Sequence, residues 1–277
     1  MEKKVYFTKE RLAERVIQFT DVLGYRANLV LGDQKALLFD TMCGVGNLKA
    51  EVKAVTDLPV TVVLSHNHFD HIGGAFLYDE VWISASEQET VNAEIPHLQA
   101  AYQAAKEGGL LDETELHSFK DGKMPNFLTL SEGQTFDLGG ISFRAVALPG
   151  HTEGSMGLLS EDAGLLMVGD AMTPIMCLFF DNSLSVEAYL ATLAKAEQLS
   201  FSYFLTSHHR TLFPKACLVD FLNCARFALS DRGMKFQHDI LPEFRGTLHI
   251  YRGNSSDDDD FLALIEKCIP RIHSKNK

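Results

Sequence analysis

The sequence predicts a mixed α/β fold. Short apolar runs rich in β-branched residues, such as Val60–Leu64, alternate with longer segments that place apolar residues at helical spacing, such as Val186–Gln198. Turn signals that contain glycine separate many of these segments. The chain has 277 residues, of which 46% are hydrophobic and 22% are charged. This composition is typical of a globular protein with a buried core.

Strands dominate the prediction for the first third of the chain. Ala27–Leu31 and Ala36–Phe39 flank Gly32-Asp33-Gln34, and this pattern predicts a β-hairpin. Val60–Leu64 follows Pro59 and is short enough for a buried strand. The other elements predicted in this part are the helix Leu48–Thr56 and the strand Val81–Ser84.

The segment 86–124 has a different, helical character. Ser86–Glu89 offers a helix start, and Leu98–Glu107 is rich in alanine and ends at Gly108-Gly109. Asp112–Phe119 is predicted as a second short helix. Since a segment of about 40 residues is short for a domain, we predict a helical insertion, a candidate lid, within a single domain spanning 1–277.

The rest of the chain returns to alternating strands and helices. The acidic run Asp257–Asp260 precedes the last predicted helix, and negative charge is favourable at a helix N-terminus. The predicted strands are Leu128–Leu130, Thr135–Leu138, Ile141–Leu148, Leu165–Val168, Phe201–Leu205 and Thr247–Tyr251, and the predicted helices are Val186–Gln198, Cys217–Leu229 and Phe261–Ile269.

The charge balance bears on the class of partner. The formal net charge is −12, from 25 Lys and Arg against 37 Asp and Glu, which disfavours nucleic acid and anionic membrane as partners. The charged N-terminal segment lacks the pattern of a signal peptide, and no stretch approaches ~20 apolar residues. Five scattered cysteines fit free thiols. We therefore expect a cytoplasmic protein that acts on a small molecule.

Histidines cluster at the end of one predicted strand. His66, His68, Asp70 and His71 follow Val60–Leu64 in the order His-x-His-x-Asp-His. Four titratable groups inside a buried strand would lack partners, whereas a loop at the end of the strand lets their side chains converge. The spacing therefore predicts ligands for a metal ion.

Three further candidate ligands also follow predicted strands, namely His151, Asp170 and His208. Each of these residues alone could be an ordinary loop residue. A whole set of metal-ligand residue types at the ends of several strands is not expected by chance from the composition. Strands of one sheet that end on the same side bring such groups together. Imidazole and carboxylate ligands without a thiolate suit zinc, and also iron or manganese.

These motifs resemble those of the metallo-β-lactamase superfamily: His66-Asn67-His68-Phe69-Asp70-His71, Gly150-His151-Thr152, Gly169-Asp170 and Ser207-His208. The resemblance implies a four-layer αββα sandwich and two divalent metal ions. It implies that His66, His68 and His151 hold the first ion, that Asp70, His71 and His208 hold the second, and that Asp170 bridges both. Side chains alternate along an extended backbone, so only one of the adjacent His208 and His209 can face the site. The resemblance assigns His208, because it occupies the place of the histidine that follows a strand in the superfamily motif.

The resemblance also implies a hydrolase in which a metal-bridging hydroxide attacks a small ester, thioester or lactone. Asp70 would then orient the nucleophile or pass a proton to the leaving group. Two alternatives are a phosphodiesterase acting on a small phosphate ester and an oxidoreductase with one iron, of the persulfide-dioxygenase type. A homodimer is consistent with the sequence.

Several residues have two interpretations at this stage. Asp40 resembles an aspartate that the superfamily places near its metal site, but it also fits a turn. Met176 and Phe179 fit an apolar substrate pocket or packing under the Val186–Gln198 helix. Arg210 fits a substrate anion or a surface ion pair, and His209 fits a position near the ligands or the substrate.

Overall fold

The computed structural model describes residues 5–111, 123–230, 233–237, 245–252 and 261–267. The helices are α1 (Leu48–Lys53), α2 (Phe69–Ile72), α3 (Ala85–Glu107), α4 (Val186–Gln198) and α5 (Leu218–Ala228), with 3₁₀ turns at Gly73–Leu77 and Lys215–Cys217. The strands are β1 (Phe7–Ala13), β2 (Val16–Asp21), β3 (Arg26–Leu31), β4 (Ala36–Phe39), β5 (Val60–Val63), β6 (Glu80–Ile83), β7 (Asn126–Thr129), β8 (Thr135–Asp137), β9 (Ser142–Ala147), β10 (Met156–Ser160), β11 (Leu165–Gly169), β12 (Ile175–Leu178), β13 (Tyr203–Thr206), β14 (Phe213–Pro214), β15 (Met234–Gln237), β16 (Arg245–Arg252) and β17 (Phe261–Lys267).

The chain forms two compact units. The first consists of Met1–Leu148, Gly154–Ala171 and Leu199–Lys215, and the second of Pro149–Glu153, Met172–Gln198 and Ala216–Lys277. The predictions of a single domain over 1–277 and of a lid at 86–124 stay predictions. The predicted helix Asp112–Phe119 lies outside the described residues.

The first unit contains two β-sheets that share a core. A seven-stranded sheet has the order β1-β2-β3-β4-β5-β6-β7, and a six-stranded sheet has the order β14-β13-β11-β10-β9-β8. Phe39 and Val63 from the first sheet pack in one cluster with Phe143, Met167 and Leu205 from the second. The mixed sheets and helices confirm the predicted α/β class.

Helices cover the outer face of the seven-stranded sheet. Because side chains alternate along a strand, Leu37 of β4 joins the core between the sheets, whereas Leu38 faces the helices. Val52 of α1 and Leu98 of α3 belong to the same outer cluster as Leu38. The burial of these apolar side chains fixes both helices on the sheet.

Strand direction brings four polar loops to one end of the first unit. β4 and β5 run parallel, and so do β11 and β13. Asp40 and Asp170 directly follow β4 and β11, and His66 and His208 lie within three residues of the ends of β5 and β13. The ends of parallel strands in an α/β sheet are the usual place for a functional site.

The second unit contains a four-stranded sheet and two helices. The sheet has the order β12-β17-β16-β15, and α4 and α5 belong to this unit. The prediction of a helix at Phe261–Ile269 is wrong, because Phe261–Lys267 is a strand paired with both β12 and β16. A short continuous apolar run fits a buried strand as well as a buried helix, so periodicity alone does not decide between them.

The first two strands were not predicted from the sequence. β1 carries exposed charged residues on the edge of its sheet, including Lys9, Glu10 and Arg11, which hide the strand pattern. β2 is buried along its length although it contains Gln18 and Asp21. Within the described part of the chain, no helix combines the length and apolar character needed to cross a membrane.

Candidate metal centre

Four of the predicted ligands meet at the strand ends of the first unit. His208 Nε2 lies 2.9 Å from Asp170 Oδ2 and 3.4 Å from Asp70 Oδ2. His71 Nε2 lies 3.5 Å from Asp170 Oδ1 and 3.6 Å from Asp70 Oδ2. Each carboxylate therefore contacts both imidazole rings.

His66 and His68 lie beside this group. His66, His71 and Asp170 present ligand atoms within 4.8 Å of one another, as do Asp70, His71 and His208. The ring of His66 lies 4.1 Å from that of His71 and 4.6 Å from that of His68, measured between centroids. Six of the seven predicted ligands therefore belong to the first unit, where Asp70 and His71 lie in the short helix α2 and the other four lie on loops.

His151 belongs to the second unit, on the loop 149–153 that connects β9 to β10. Its side chain is buried, and its Nδ1 lies 2.8 Å from the carbonyl oxygen of Cys177. A carbonyl only accepts, so the Nδ1–H of His151 donates this bond and Nε2 keeps its lone pair. This is the protonation state that a ligand requires. The assignment of His151 as a ligand stays a prediction.

Asp40 connects the ends of three strands, β4, β5 and β13. Its fully buried carboxylate accepts bonds from Ser65 N at 2.8 Å and Ser65 Oγ at 3.0 Å, and from Ser207 Oγ at 2.7 Å. It also lies 2.9 Å from His71 Nδ1. Asp40 has φ +63°, an uncommon conformation for a residue with a side chain. The alternative of a simple turn residue does not account for these contacts.

The hydrogen bonds of Asp40 determine which nitrogen of two rings faces the other ligands. His71 Nδ1–H donates to the carboxylate, so Nε2 is the nitrogen that faces the other ligands. Ser65 donates its hydroxyl hydrogen to Asp40, so the contact of 2.9 Å between Ser65 Oγ and His66 Nδ1 is donated by His66. Partners behind metal-binding histidines commonly orient the ring in this way.

The carboxylates and imidazoles shift the pKa values of one another. Burial alone lowers the pKa of His71, but Asp70, Asp40 and Asp170 outweigh it and raise that pKa well above the usual value. Burial also lowers the pKa of His208, which Asp170 raises. Burial raises the pKa of Asp170, but His208 and His71 hold it well below its usual value. The site thus favours positive charge beside its carboxylates.

The side chains of His208 and His209, which are adjacent in the sequence, lie in different surroundings. The ring of His209 lies 5.4 Å from that of Phe213, and its Nδ1 lies 3.3 Å from Thr206 Oγ1. The carbonyl oxygens of this loop accept bonds from two side chains of the first sheet, from Arg26 Nη1 to His208 and from Gln18 Nε2 to His209. His208 is therefore the member of the pair that contacts the carboxylates.

The residues predicted to contact the substrate differ in their exposure. Arg210 is exposed at the end of the loop that carries His208. Met176 and Phe179 are buried within the second unit, where Phe179 packs against Phe180 and Phe236. Their roles as substrate contacts stay predictions.

The donor set fits a divalent transition-metal ion. The converging atoms are imidazole nitrogens and carboxylate oxygens, which zinc, iron and manganese all bind. The nitrogens on the far side of His66 and His71 are occupied by hydrogen bonds, so the inner nitrogens are oriented for coordination. The structure therefore supports a metal site at these residues.

Comparison with known proteins agrees with this geometry. The model of the "Metallo-beta-lactamase superfamily" matches residues 21–208, more than half of the chain. The chain belongs to this superfamily. The resemblance drawn from the four sequence motifs is therefore confirmed.

Among curated members of the superfamily, the chain is 26% identical over 165 residues to the acyl-coenzyme A thioesterase MBLAC2 of Bos taurus, covering 54% of this chain and 59% of that protein. It is 25% identical over 153 residues to the hydroxyacylglutathione hydrolase of Xylella fastidiosa strain M12, covering 55% and 47%. The alignments thus span less than two thirds of either relative. Both relatives are hydrolases by name.

Solved structures of the superfamily share the fold. A metallo-beta-lactamase from Pontibacter korlensis superposes with a TM-score of 0.57 at 16% identity, covering 79% of this chain and 99% of that one. A superfamily protein from Thermus thermophilus gives a TM-score of 0.53 at 19% identity, covering 76% and 79%. At this level of identity the comparison establishes the fold alone.

The sequence interpretation missed several residues that support the ligands. Ser65 and Ser207 each directly precede a predicted ligand, and this adjacency was the available signal. Tyr25 places its ring 6.2 Å from that of His208, but nothing in its sequence context indicates this. Glu87, a buried residue of α3, accepts a hydrogen bond from the backbone between His66 and His68.

Proposed function

We propose that the protein is a dinuclear metal-dependent hydrolase of a small ester, thioester or lactone. The position of Asp170 supports this most directly. Its Oδ1 lies 3.5 Å from His71 Nε2, and its Oδ2 lies 2.9 Å from His208 Nε2, while His66 contributes to the same cluster. A carboxylate that faces histidines on two sides suits a bridge between two cations.

The proposed ligands follow the superfamily pattern. His66, His68 and His151 would hold one ion, Asp70, His71 and His208 the other, and Asp170 both. The bonds from His71 and His66 to Asp40 and Ser65, and from His151 to Cys177, occupy Nδ1 of each ring and leave Nε2 as the nitrogen that would coordinate. We propose zinc as the metal, with iron and manganese as alternatives.

The proposed reaction gives separate roles to the metal ions, to Asp70 and to Asp40. Bound divalent ions would supply a nucleophilic water of lowered pKa and polarise the substrate oxygen. Asp70 would orient this water and hold its proton for delivery to the leaving group, because its carboxylate lies against both His71 and His208. Asp40 would keep His71 in the tautomer that coordinates through Nε2.

Relatives favour an acyl thioester within the proposed substrate class. The two curated relatives described above are named as an acyl-coenzyme A thioesterase and a hydroxyacylglutathione hydrolase. Exposed Arg210, one position beyond His209, would be available for an anionic group on such a substrate. A phosphodiesterase is a second proposal, since the same two metal ions would polarise a phosphoryl oxygen.

Turnover of a substrate panel tests the proposal. Metal-loaded protein should hydrolyse at least one thioester, ester or lactone, and Asp170→Ala should abolish that turnover. Asp162→Asn, an exposed aspartate between β10 and β11, is the matched control and should retain activity. Equal turnover by wild type and Asp170→Ala would contradict the bridging role. Turnover confined to phosphodiesters would favour the second proposal.

A further inference from the structure

The first turn of α3 contacts two backbone segments that lie close in the chain to proposed ligands. Glu87 is only 2% exposed although it carries a carboxylate. Its Oε2 accepts a hydrogen bond from Asn67 N, and its Oε1 accepts one from Gly154 N, both at 2.9 Å. One side chain therefore joins two backbone segments that are far apart in the sequence.

The positions of these two N–H groups in the chain show which proposed ligands the contact can affect. Asn67 lies between His66 and His68, so its backbone cannot shift without moving both side chains. Gly154 is the first residue after the loop 149–153, which carries His151. Glu87 is thus bonded to the backbone between His66 and His68, two of the residues that the proposed function assigns to one ion.

Other contacts of α3 reinforce both attachments. The side chain of Asn67 donates from Nδ2 to the Glu87 carbonyl oxygen at 2.9 Å and to Thr90 Oγ1. Ser84, the residue preceding α3, donates from Oγ to the carbonyl oxygen of Gly154 at 2.8 Å. Both backbone polar groups of Gly154 are therefore held by this end of the helix.

The approach at Gly154 leaves no space for a larger residue. A Cβ at this position would lie 2.4 Å from Ser86 Oγ, 2.5 Å from Ser84 Oγ and 2.6 Å from Glu87 Cγ. Such distances are far below ordinary van der Waals contact, so only glycine permits the loop to lie this close to α3.

Burying a carboxylate is costly unless bonds to the charged group compensate. At Glu87 the two N–H donors and the positive end of the α3 dipole provide this compensation. An acidic residue in a first helical turn gains the dipole term even when exposed, so helix stability alone does not explain the burial of Glu87. Its buried contacts are with the backbone of Asn67 and Gly154.

We propose that Glu87 is a positioning residue that holds the backbone of the loop bearing His66 and His68 against Gly154, close to the start of β10, and so sets the affinity for the ion that these two histidines bind. This inference rests on the proposed ligand assignment and adds to it. α3, predicted from the sequence as part of a lid, would thereby determine the geometry of the site itself.

Zinc binding by three variants of the full chain tests the proposal. Glu87→Gln keeps one carbonyl acceptor but turns an amide NH₂ group toward the other N–H, and Glu87→Ala removes both acceptors. Glu89→Gln, an exposed glutamate of the same helix, is the matched control. Metal-free protein is titrated with Zn²⁺ against a chromophoric chelator, and Co²⁺ absorption reports the ligand geometry.

The expected result is a loss of affinity confined to one of the two ions. The loss should be about 10–100-fold, as is typical when a group behind a metal ligand is removed, and larger for Glu87→Ala than for Glu87→Gln. The Co²⁺ spectrum of that ion should change, whereas Glu89→Gln should match wild type. Ser84→Ala, which removes only the hydroxyl bond to Gly154, should give a smaller loss and serves if Glu87→Ala does not fold.

A lower thermal midpoint with unchanged Zn²⁺ affinity would show a purely structural role and overturn the proposal, as would equal losses at both ions. Two tightly bound ions without hydrolysis of any panel substrate would overturn the proposed function but leave the role of Glu87 intact. A wild-type chain that binds no ion would overturn both.

Discussion

The buried side chains of Asp40 and His71 form a hydrogen bond, with 2.9 Å between Asp40 Oδ2 and His71 Nδ1. The same carboxylate oxygen accepts bonds from Ser65 Oγ and Ser207 Oγ. Asp40 thus ties a proposed ligand to the ends of β5 and β13. Since Nδ1 donates to Asp40, Nε2 is the nitrogen of His71 that faces the carboxylates of Asp70 and Asp170.

Asp40→Asn should weaken metal binding. One carboxylate oxygen becomes an NH₂ group, which cannot accept from His71 or from the two serines. We expect affinity for the ion at His71 to fall about 10–100-fold, measured by chelator competition. Asp162→Asn serves as the control for a change of one surface charge. Unaltered affinity in Asp40→Asn would contradict the role given to this bond.

Ser207→Ala should lower stability through the same carboxylate. The variant removes the 2.7 Å bond from Ser207 Oγ and leaves Asp40 buried with one donor fewer. A lost bond to a buried charged group should reduce the free energy of unfolding by about 1–3 kcal/mol. Denaturant titration measures the change. Ser131→Ala, at an exposed serine, should change it little, and an equal effect in both variants would refute the prediction.

His208 and His209 should differ sharply in metal binding. His208 Nε2 contacts both Asp70 and Asp170, whereas the ring of His209 packs against Phe213. His208→Ala should therefore lose one ion per chain, and His209→Ala should retain the wild-type metal content. Elemental analysis of the two purified variants decides between the adjacent residues, and the reverse pattern would exchange their assignments.

Asp21 should make stability depend on pH. Burial raises its pKa from 3.8 to about 6, and hydrogen bonds from Cys43 and backbone groups only partly offset this effect. A raised pKa means that the folded chain binds the proton more tightly than the unfolded chain. The resulting contribution to stability is therefore complete below pH 3.8 and is lost as the pH rises through about 6.

Replacing Asp21 by Asn removes this titration while keeping an oxygen acceptor for Leu23 N and Tyr25 N. Relative to wild type, Asp21→Asn should gain about 1 kcal/mol more stability at pH 7 than at pH 5. Denaturant titrations at the two pH values measure this difference, and the unchanged metal ligands cancel in the comparison. A difference that is the same at both pH values would show that Asp21 does not titrate in this range.

The sequence predicted correctly those elements whose hydrophobic pattern fits only one kind of secondary structure. The helix Val186–Gln198 has the predicted bounds, because its apolar positions repeat over more than three turns. Phe261–Lys267 was predicted wrongly as helix, because its apolar run fits both structures and pairing with β12 and β16 decides the outcome. Long-range pairing of this kind is not contained in the local sequence.

The site shows the same division. His66, His68 and His71 were predicted as neighbours, and their loop brings the rings together, because close spacing after a buried strand leaves little freedom. Glu87 was not predicted, because an acidic residue in a first helical turn is ordinary and its partner Gly154 lies 67 positions away. Residues that support ligands from a distance become visible once the fold has placed them.

The metal content of the purified chain tests the central claim most directly. Protein prepared without chelators should contain about two transition-metal ions per chain by elemental analysis, and Asp170→Ala should contain fewer. A single iron per chain, accompanied by oxygen uptake in place of hydrolysis, would contradict the dinuclear account and favour the oxidoreductase alternative.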